Sequence, residues 1–403
     1  MNAGATLIGW IICVLALSGS PYAAEGEKPP AADIPAPAGR TEASAGQIEI
    51  AGDFMLWDEN VPLPSPESLT YPDQAVDVMV HRMDEEFRFL HDNAVVWHKD
   101  ILFAAWYNCP RAEIAESSCI RSRRSLDAGR TWSNVEVIAA DYNAQGVFYV
   151  PVTFLSYSGQ LLAFVSNMAG HDLVTRCEAF SLNESDNQWA SRGYIAGPFL
   201  PNCPPLLMDD GNFIMAGRMA ARRATTPETP AVAISSGKDL TGRWDVVPMM
   251  AGISRPYTAF PESTVWLDGP DVTAIVRGGL VFTSSNFGRT WRGPFQHNVP
   301  AEDSKPFALQ LSTGQRCLLW NYPKSPGSTR HLLTIAVSRP GEHTLSAMWK
   351  IRDGYLEQLQ AGPEWSYPCA AEHQGSLYII YTSEKKHSVM TIVPLNAIGV
   401  KTR

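Results

Sequence analysis

Two copies of one eight-residue phrase, Ser125-Leu126-Asp127-Ala128-Gly129-Arg130-Thr131-Trp132 and Ser284-Ser285-Asn286-Phe287-Gly288-Arg289-Thr290-Trp291, recur 159 residues apart. Both read S-x-[D/N]-x-G-x-T-W. The Asp or Asn can hydrogen-bond its own backbone two residues on, Gly supplies a positive φ, and Trp packs the tip onto the strand beneath. The phrase therefore codes a rigid β-hairpin turn. Such a turn staples a hairpin and catalyses nothing, so its functional message is indirect.

Around these turns a two-strand unit recurs six times, at residues 93–106, 150–166, 203–218, 261–277, 305–321 and 367–382. Each copy is an apolar strand, a Gly or Asx turn and a second apolar strand. The turns carry Lys99-Asp100, Ser158-Gly159, Asp210-Gly211, Asp268-Gly269, Thr313-Gly314 and Gln374-Gly375, and the starting points differ by 44 to 62 residues. That period leaves room for two further strands per copy, and edge hairpins are legible at 121–137, 233–248, 279–295 and 333–351. The turn of the second, Ser235 to Trp244, reads as a degraded form of the phrase. Radial stacking of four-stranded units protects sheet edges, so the expected fold is all-β, a six-bladed β-propeller over residues 51–403. A β-sandwich or two β domains would also show short strands at regular spacing.

Residues 5–17 are mostly apolar and lead into Ser18-Gly19-Ser20-Pro21-Tyr22-Ala23-Ala24, the pattern of an export signal cleaved near Ala24. The run is too short to span a bilayer comfortably, so no stable membrane insertion is expected. Residues 25–50, rich in Ala, Pro, Gly and Glu over their first two thirds, read as a disordered linker. Export permits disulfides among Cys109, Cys119, Cys177, Cys203, Cys317 and Cys369, with Cys109–Cys119 the first pair to test and buried free thiols the alternative. With 32 basic and 41 acidic residues the chain carries a net charge of −9, which gives a nucleic-acid partner no support. An anionic ligand would need a local cluster of Arg.

Four Arg stand near the repeats: Arg88 before the first, Arg218 and Arg277 at the ends of the third and fourth, and Arg330 after the fifth. Together with the S-x-[D/N]-x-G-x-T-W phrases, which are similar to the Asp-box or BNR repeat, they make the chain over roughly residues 80–395 resemble the sialidase (neuraminidase) superfamily. Sialidases place an Arg in an R-I-P phrase before the first blade, a Glu and an Arg bracketing a later repeat, another Arg downstream and a Tyr opening the last. Arg88, Glu262 with Arg277, Arg330 and Tyr367 match that order, although Phe89-Leu90-His91 stands where the family has Ile-Pro. The resemblance implies Tyr367 as nucleophile, Glu262 as its base and three Arg gripping a carboxylate. Arg suits this task because its planar fork cannot deprotonate and binds carboxylate bidentately. The family's acid is an Asp about ten residues before an R-R-S phrase; Arg123-Arg124-Ser125 matches the phrase, and Glu113 holds the acid's position, with Glu116 as the other choice. Arg218, Lys305, Asn202 and His91 are further lip residues.

Each residue alone also admits a purely structural role, in an ion pair, a packed aromatic or a hydrogen bond between blades. The resemblance implies an exported exo-glycoside hydrolase that cleaves a terminal acidic sugar, sialic acid for preference, with retention and without metal or organic cofactor. Two other readings stay open: a propeller lyase or hydrolase acting on uronic-acid polysaccharide, and a non-catalytic propeller that binds glycan or protein.

Overall fold

The computed structural model describes residues 49–170, 173–219, 228–250, 260–325 and 329–400; the expected signal and nearly all of the expected linker lie outside them. Six antiparallel sheets follow one another along the chain. Blade 1 is built from Phe89–His98, Ile101–Cys109, Cys119–Ser125 and Glu136–Ala140, and blade 2 from Phe148–Tyr157, Gln160–Met168, Val174–Asn183 and Gln188–Ala196. In blade 3 the innermost strand is split into Leu200–Pro201 and Leu206–Leu207, both pairing with Phe213–Met219, and Thr229–Ile234 and Asp245–Pro248 follow outward. Blade 4 comprises Ser263–Asp268, Asp271–Val276, Leu280–Ser284 and Arg292–His297, with Asp53–Phe54 added in parallel on its outer edge. Blade 5 comprises Phe307–Gln310, Arg316–Asn321, Leu332–Ser338 and Leu345–Asp353.

Blade 6 takes only three strands from its own stretch of chain, Trp365–His373, Ser376–Ser383 and His387–Pro394. Its fourth, Val76–Arg82, comes from before blade 1 and pairs antiparallel with His387–Pro394. The six repeated hairpins of the sequence are the inner strand pairs of the six blades. The outer hairpin of blade 2 escaped the sequence reading because its last strand is polar and largely exposed, QWASRGYIA. The central strands are buried on both faces: every residue of Leu332–Ser338 and all but the first of Gln160–Met168 are buried, as expected for strands with a neighbouring blade on each side. Trp106 and Trp365 are fully buried, whereas Trp97 and Trp349 are half-buried.

The repeated turns do more than close hairpins. In the first, Ser125 Oγ accepts the Gly129 N–H at 2.8 Å, and the Asp127 carboxylate accepts the N–H and hydroxyl of Thr131 at 2.8 and 2.6 Å. The second repeats this, Ser284 Oγ accepting from Gly288 at 3.0 Å and Asn286 Oδ1 from the Thr290 N–H at 2.9 Å. The Asx side chain thus reaches four residues on rather than two. Two consecutive left-handed residues, Ala128 and Gly129 (φ 57° and 85°), fold the Thr back toward it. Each turn also packs on the preceding blade. A Cβ at Gly129 would touch Met390 and Ile392 of blade 6, and one at Gly288 would meet Ile214 of blade 3 at 2.7 Å.

All six described cysteines are free and buried, which corrects the Cys109–Cys119 disulfide. Cys119 pairs in register with Asn108, so the side chain of Cys109, one residue along, points to the opposite face of the sheet. Cys109 Sγ instead accepts the Ile114 N–H at 3.3 Å, and burial pushes both thiols up to about 12. Among the described residues no helix is long and apolar enough to cross a membrane.

The two turn glycines should respond differently to a methyl group. Both hold positive φ, which costs a non-Gly residue about 1–2 kcal/mol. Gly129→Ala meets only ordinary contacts at 3.4 Å or more and should lose about that much in urea denaturation. Gly288→Ala adds the clash with Ile214 and should lose about 2–5 kcal/mol, since overpacking costs a further ~1–3 kcal/mol. Equal losses would show that the turns do not bear on the neighbouring blade.

Candidate active site

The innermost strands begin at one end of the channel, and residues near their starts converge there: Asp92 in blade 1, Pro151 in blade 2, Leu200 in blade 3, Glu262 just before the strand of blade 4 and Tyr367 in blade 6. They line a pocket of about 180 Å³ together with Tyr107, Glu113, Arg218, Phe260, Arg277, Arg330 and Lys385. Three of them sit in bulges, Pro151 where pairing slips between Tyr149 and Val152, and the other two are also turned by left-handed backbone. Pairing slips between His91 and Ala94 and between Ser366 and Cys369, and the bulged residues Asp92 and Tyr367 adopt left-handed φ of 54° and 57°. Non-Gly residues hold such angles only where the surroundings over-determine them, and bulges of this kind turn a side chain out of the sheet alternation.

Glu262 and Arg277 stand opposite each other at the open end of the inner hairpin of blade 4, where the Arg277 N–H donates to the Glu262 carbonyl at 2.9 Å. Their side chains meet the phenol of Tyr367 in a closed triangle. The Tyr367 hydroxyl donates to Glu262 Oε1 at 2.6 Å, while Arg277 Nη1 donates to Glu262 Oε2 at 2.8 Å and to the phenolic oxygen at 2.9 Å. Arg277 Nε is held by Asp303 at 2.6 Å. All three triangle residues are buried, at 8% exposure or less. Burial alone would raise the Glu262 pKa, but Arg277 and Arg218 outweigh it and hold the carboxyl below its usual range. Burial and the Glu262 charge push the Tyr367 phenol well above its ordinary value, so it is neutral at rest. The His91 ring stacks on Tyr367 with centroids 4.2 Å apart.

Arg330, also at left-handed φ (59°), lies with its guanidinium 5.2 Å from the Tyr367 ring centroid, donates to the Asp303 carbonyl at 3.1 Å and pairs loosely with Glu364 at 3.4 Å. Arg218 ends the second strand of blade 3 as Arg277 ends that of blade 4. It pairs with Glu228 and lies 5.2 Å from the Phe260 ring centroid, and its Nε has no hydrogen-bond partner among the described residues. Lys305 is almost wholly buried behind the pocket wall, paired with Asp92, its Nζ 5.1 Å from the Tyr367 ring centroid. Glu113 reaches the pocket from the loop between the second and third strands of blade 1. It accepts from the Tyr107 hydroxyl at 2.9 Å and from Lys385 Nζ at 3.2 Å.

Two sequence candidates lie elsewhere. Arg88 is exposed and sits with Glu85, Glu86, Arg111 and Glu116 on the outer surface, away from the pocket. It precedes the innermost strand of blade 1, and in this chain the bulge hands the inward position to Asp92, where Phe89-Leu90 replaces Ile-Pro. Glu116 pairs with Arg111 at 3.1 Å on that same outer face, which leaves Glu113 as the acidic residue of the loop that meets the pocket. Asn202 is a structural link, its Oδ1 accepting the Ser263 N–H at 3.2 Å between blades 3 and 4. Sequence reasoning passed over Asp92, Tyr107 and Lys385. Only the missing Ile-Pro hinted that the first blade presents a different side chain. Among the described residues no group of three or more His, Cys, Asp or Glu is arranged to hold a metal ion.

Residues 100–379 match the family model of the BNR repeat-like domain. No curated protein matches the chain by sequence. Among solved structures the fold is similar to a protein of unknown function from Dyadobacter fermentans, with a TM-score of 0.60, 16% identity and 79% of this chain aligned to 99% of that one. It is also similar to the Hadza microbial sialidase Hz136, with a TM-score of 0.61, 16% identity and 79% of this chain aligned to 68% of that one. Trypanosoma rangeli sialidase in complex with sialic acid aligns with a TM-score of 0.59 and 14% identity, 81% of this chain covering 60% of that larger one. The chain belongs to the BNR repeat-like domain family and folds as a sialidase-like six-bladed propeller.

Proposed function

We propose that the protein is an exported exo-acting glycoside hydrolase that removes a terminal acidic sugar, sialic acid for preference, with retention of configuration. The observation that carries this reading is the Tyr367 phenol held at 2.6 Å from Glu262 and 2.9 Å from Arg277. A phenol whose pKa is raised attacks only if a base takes its proton as the new bond forms, and Glu262, kept ionised by two Arg, is that base. A neutral phenol also meets no charge repulsion from an anionic sugar, as a carboxylate would. Arg277, Arg330 and Arg218 would grip the sugar carboxylate.

In the first step the Tyr367 oxygen bonds the anomeric carbon, the bond to the departing oxygen breaks, Glu262 takes the phenolic proton and Glu113 protonates the leaving group. In the second, Glu113 takes a proton from water as that water attacks the anomeric carbon, and Tyr367 leaves with the proton held by Glu262. Lys385 and Tyr107 would hold Glu113 in place. A pocket of about 180 Å³ would take the end of a glycan chain rather than its interior. Export would follow from the apolar run at residues 5–17.

One observation favours a second reading within carbohydrate chemistry. Blade 1 presents Asp92 where the resemblance implies an Arg, so the carboxylate grip is shifted toward blades 3 to 5, as a uronic-acid polysaccharide could require. A fluorogenic sialoside and, in parallel, uronate polysaccharides followed for unsaturated-sugar absorbance separate the two. Silence in both assays leaves a glycan-binding propeller.

Tyr367→Phe should lower turnover of the sialoside more than about 10³-fold, and Glu262→Gln by about 10²–10⁴-fold. Near-normal rates in both variants would sink the proposal. Arg330→Ala should raise KM about 10- to 100-fold, in line with charge-assisted bonds worth about 1.5–3 kcal/mol, while Arg88→Ala leaves it unchanged. The pH profile has a defined sign. Glu262 must be ionised to act, and its pKa is depressed, so kcat/KM should hold as pH falls through the ordinary carboxylate range and drop only below it. The stability that Glu262 contributes is present above its unfolded pKa and is lost over that same acid window. An acid limb above the ordinary carboxylate range that survives in Glu262→Gln would assign it to another group.

A further inference from the structure

The floor of the pocket holds a charged pair that the mechanism above leaves unused. Asp92 and Lys305 come from blades 1 and 5 and meet past the innermost strand of blade 6, beside Tyr367. Asp92 is the member that faces the pocket; Lys305 stands behind it and does not line the cavity. The bulge and left-handed backbone at Asp92 aim its carboxyl into the cavity. The groups around Asp92 are Lys305 of blade 5, Glu262 of blade 4, Arg218 of blade 3, Tyr107 and His91 of blade 1, and Tyr367 and Cys369 of blade 6; blade 2 offers only Val150, Pro151 and Met168. Burial raises the Asp92 carboxyl and Glu262 adds to this, so that despite Lys305 it rests at about 6. Its neighbours Tyr107, Tyr367 and Cys369 are pushed up and the buried His91 is held neutral, so none of these changes charge near that pH.

We infer that Asp92 sets the affinity of this site for an acidic sugar through its own charge. Neutral, it donates a hydrogen bond to the bound sugar and leaves Lys305 as an uncompensated cation behind it. Ionised, it cancels Lys305 and repels the sugar acid across a poorly hydrated pocket, where like charges interact strongly. The inference rests on the acidic-sugar reading. Binding then takes up one proton at Asp92 above its pKa, and the dissociation constant rises with pH.

The test is calorimetric titration of the full chain with free N-acetylneuraminic acid from pH 5 to 8. The dissociation constant should be nearly flat below about pH 6 and rise about tenfold per pH unit above it, as a single linked proton demands. Asp92→Asn should bind with no such rise, and Lys305→Gln should move the break to higher pH. A flat wild-type profile, or an unchanged slope in Asp92→Asn, overturns the inference and leaves the acidic-sugar reading standing. No binding at any pH in wild type overturns both. Should Asp92→Asn fail to fold, pH-difference infrared spectra of the wild-type protein decide the matter: a protonated-carboxyl band that titrates near pH 6 supports the inference, and its absence ends it.

Discussion

The molecule depends on one pairing, that of Val76–Arg82 with His387–Pro394. Without it the outer strand of blade 6 would lose its partner, and among the described residues the two ends of the propeller would be joined by side chains and by a backbone bond from the Leu90 N–H to the Lys385 carbonyl at 2.8 Å. The seam it closes is densely bonded. His81 stacks on Trp106 of blade 1 at 4.7 Å, Arg123 donates to the Val80 carbonyl at 2.7 Å, and Arg121 pairs with Asp84 at 2.8 Å. Deeper in, Asn93 and His91 of blade 1 both bond the Thr382 hydroxyl of blade 6, and Ser388 donates to Asn93.

That seam also borders the candidate site. Tyr367 belongs to blade 6, its stacking partner His91 to blade 1, and its hydrogen-bond partners to blade 4. Residues 105 positions apart in the chain keep a 2.6 Å contact only because every intervening blade holds its place. The repeated turns contribute here, since those of blades 1 and 4 each lean on the blade before them. Stability and site geometry are therefore the same problem in this fold: a shift between two blades moves Glu262 relative to Tyr367, and interactions of this kind tolerate displacements well below an ångström.

Much of this was legible in the residues. The six inner hairpins follow from apolar runs broken by Gly and Asx turns, because the strands that touch neighbouring blades are apolar on both faces. The outer strand of blade 2 was not, since a polar exposed strand has no such contrast. The strand lent by Val76–Arg82 was hidden for another reason: its partner lies more than 300 residues away, and no local pattern records such a pairing. In the site, Glu262, Arg277, Arg330 and Tyr367 could be listed by order alone, and all four line one pocket. Arg88 could not be judged that way. Whether a residue at a strand start faces the channel or the solvent turns on a single bulge, and a one-residue slip exchanges the two faces.

The walls of the pocket are unlike one another. Val150, Pro151 and Met168 of blade 2, with Ile114 and Leu200 beside them, form an apolar flank, while ionisable groups make up the rest of the wall, Tyr107 and Glu113 of blade 1 on one side of the flank and Arg218 of blade 3 on the other. Such a division makes the mouth a polarised funnel. A solute with one charged and one greasy edge would be turned by such a mouth as it enters, the field and the shedding of water favouring one orientation over the other.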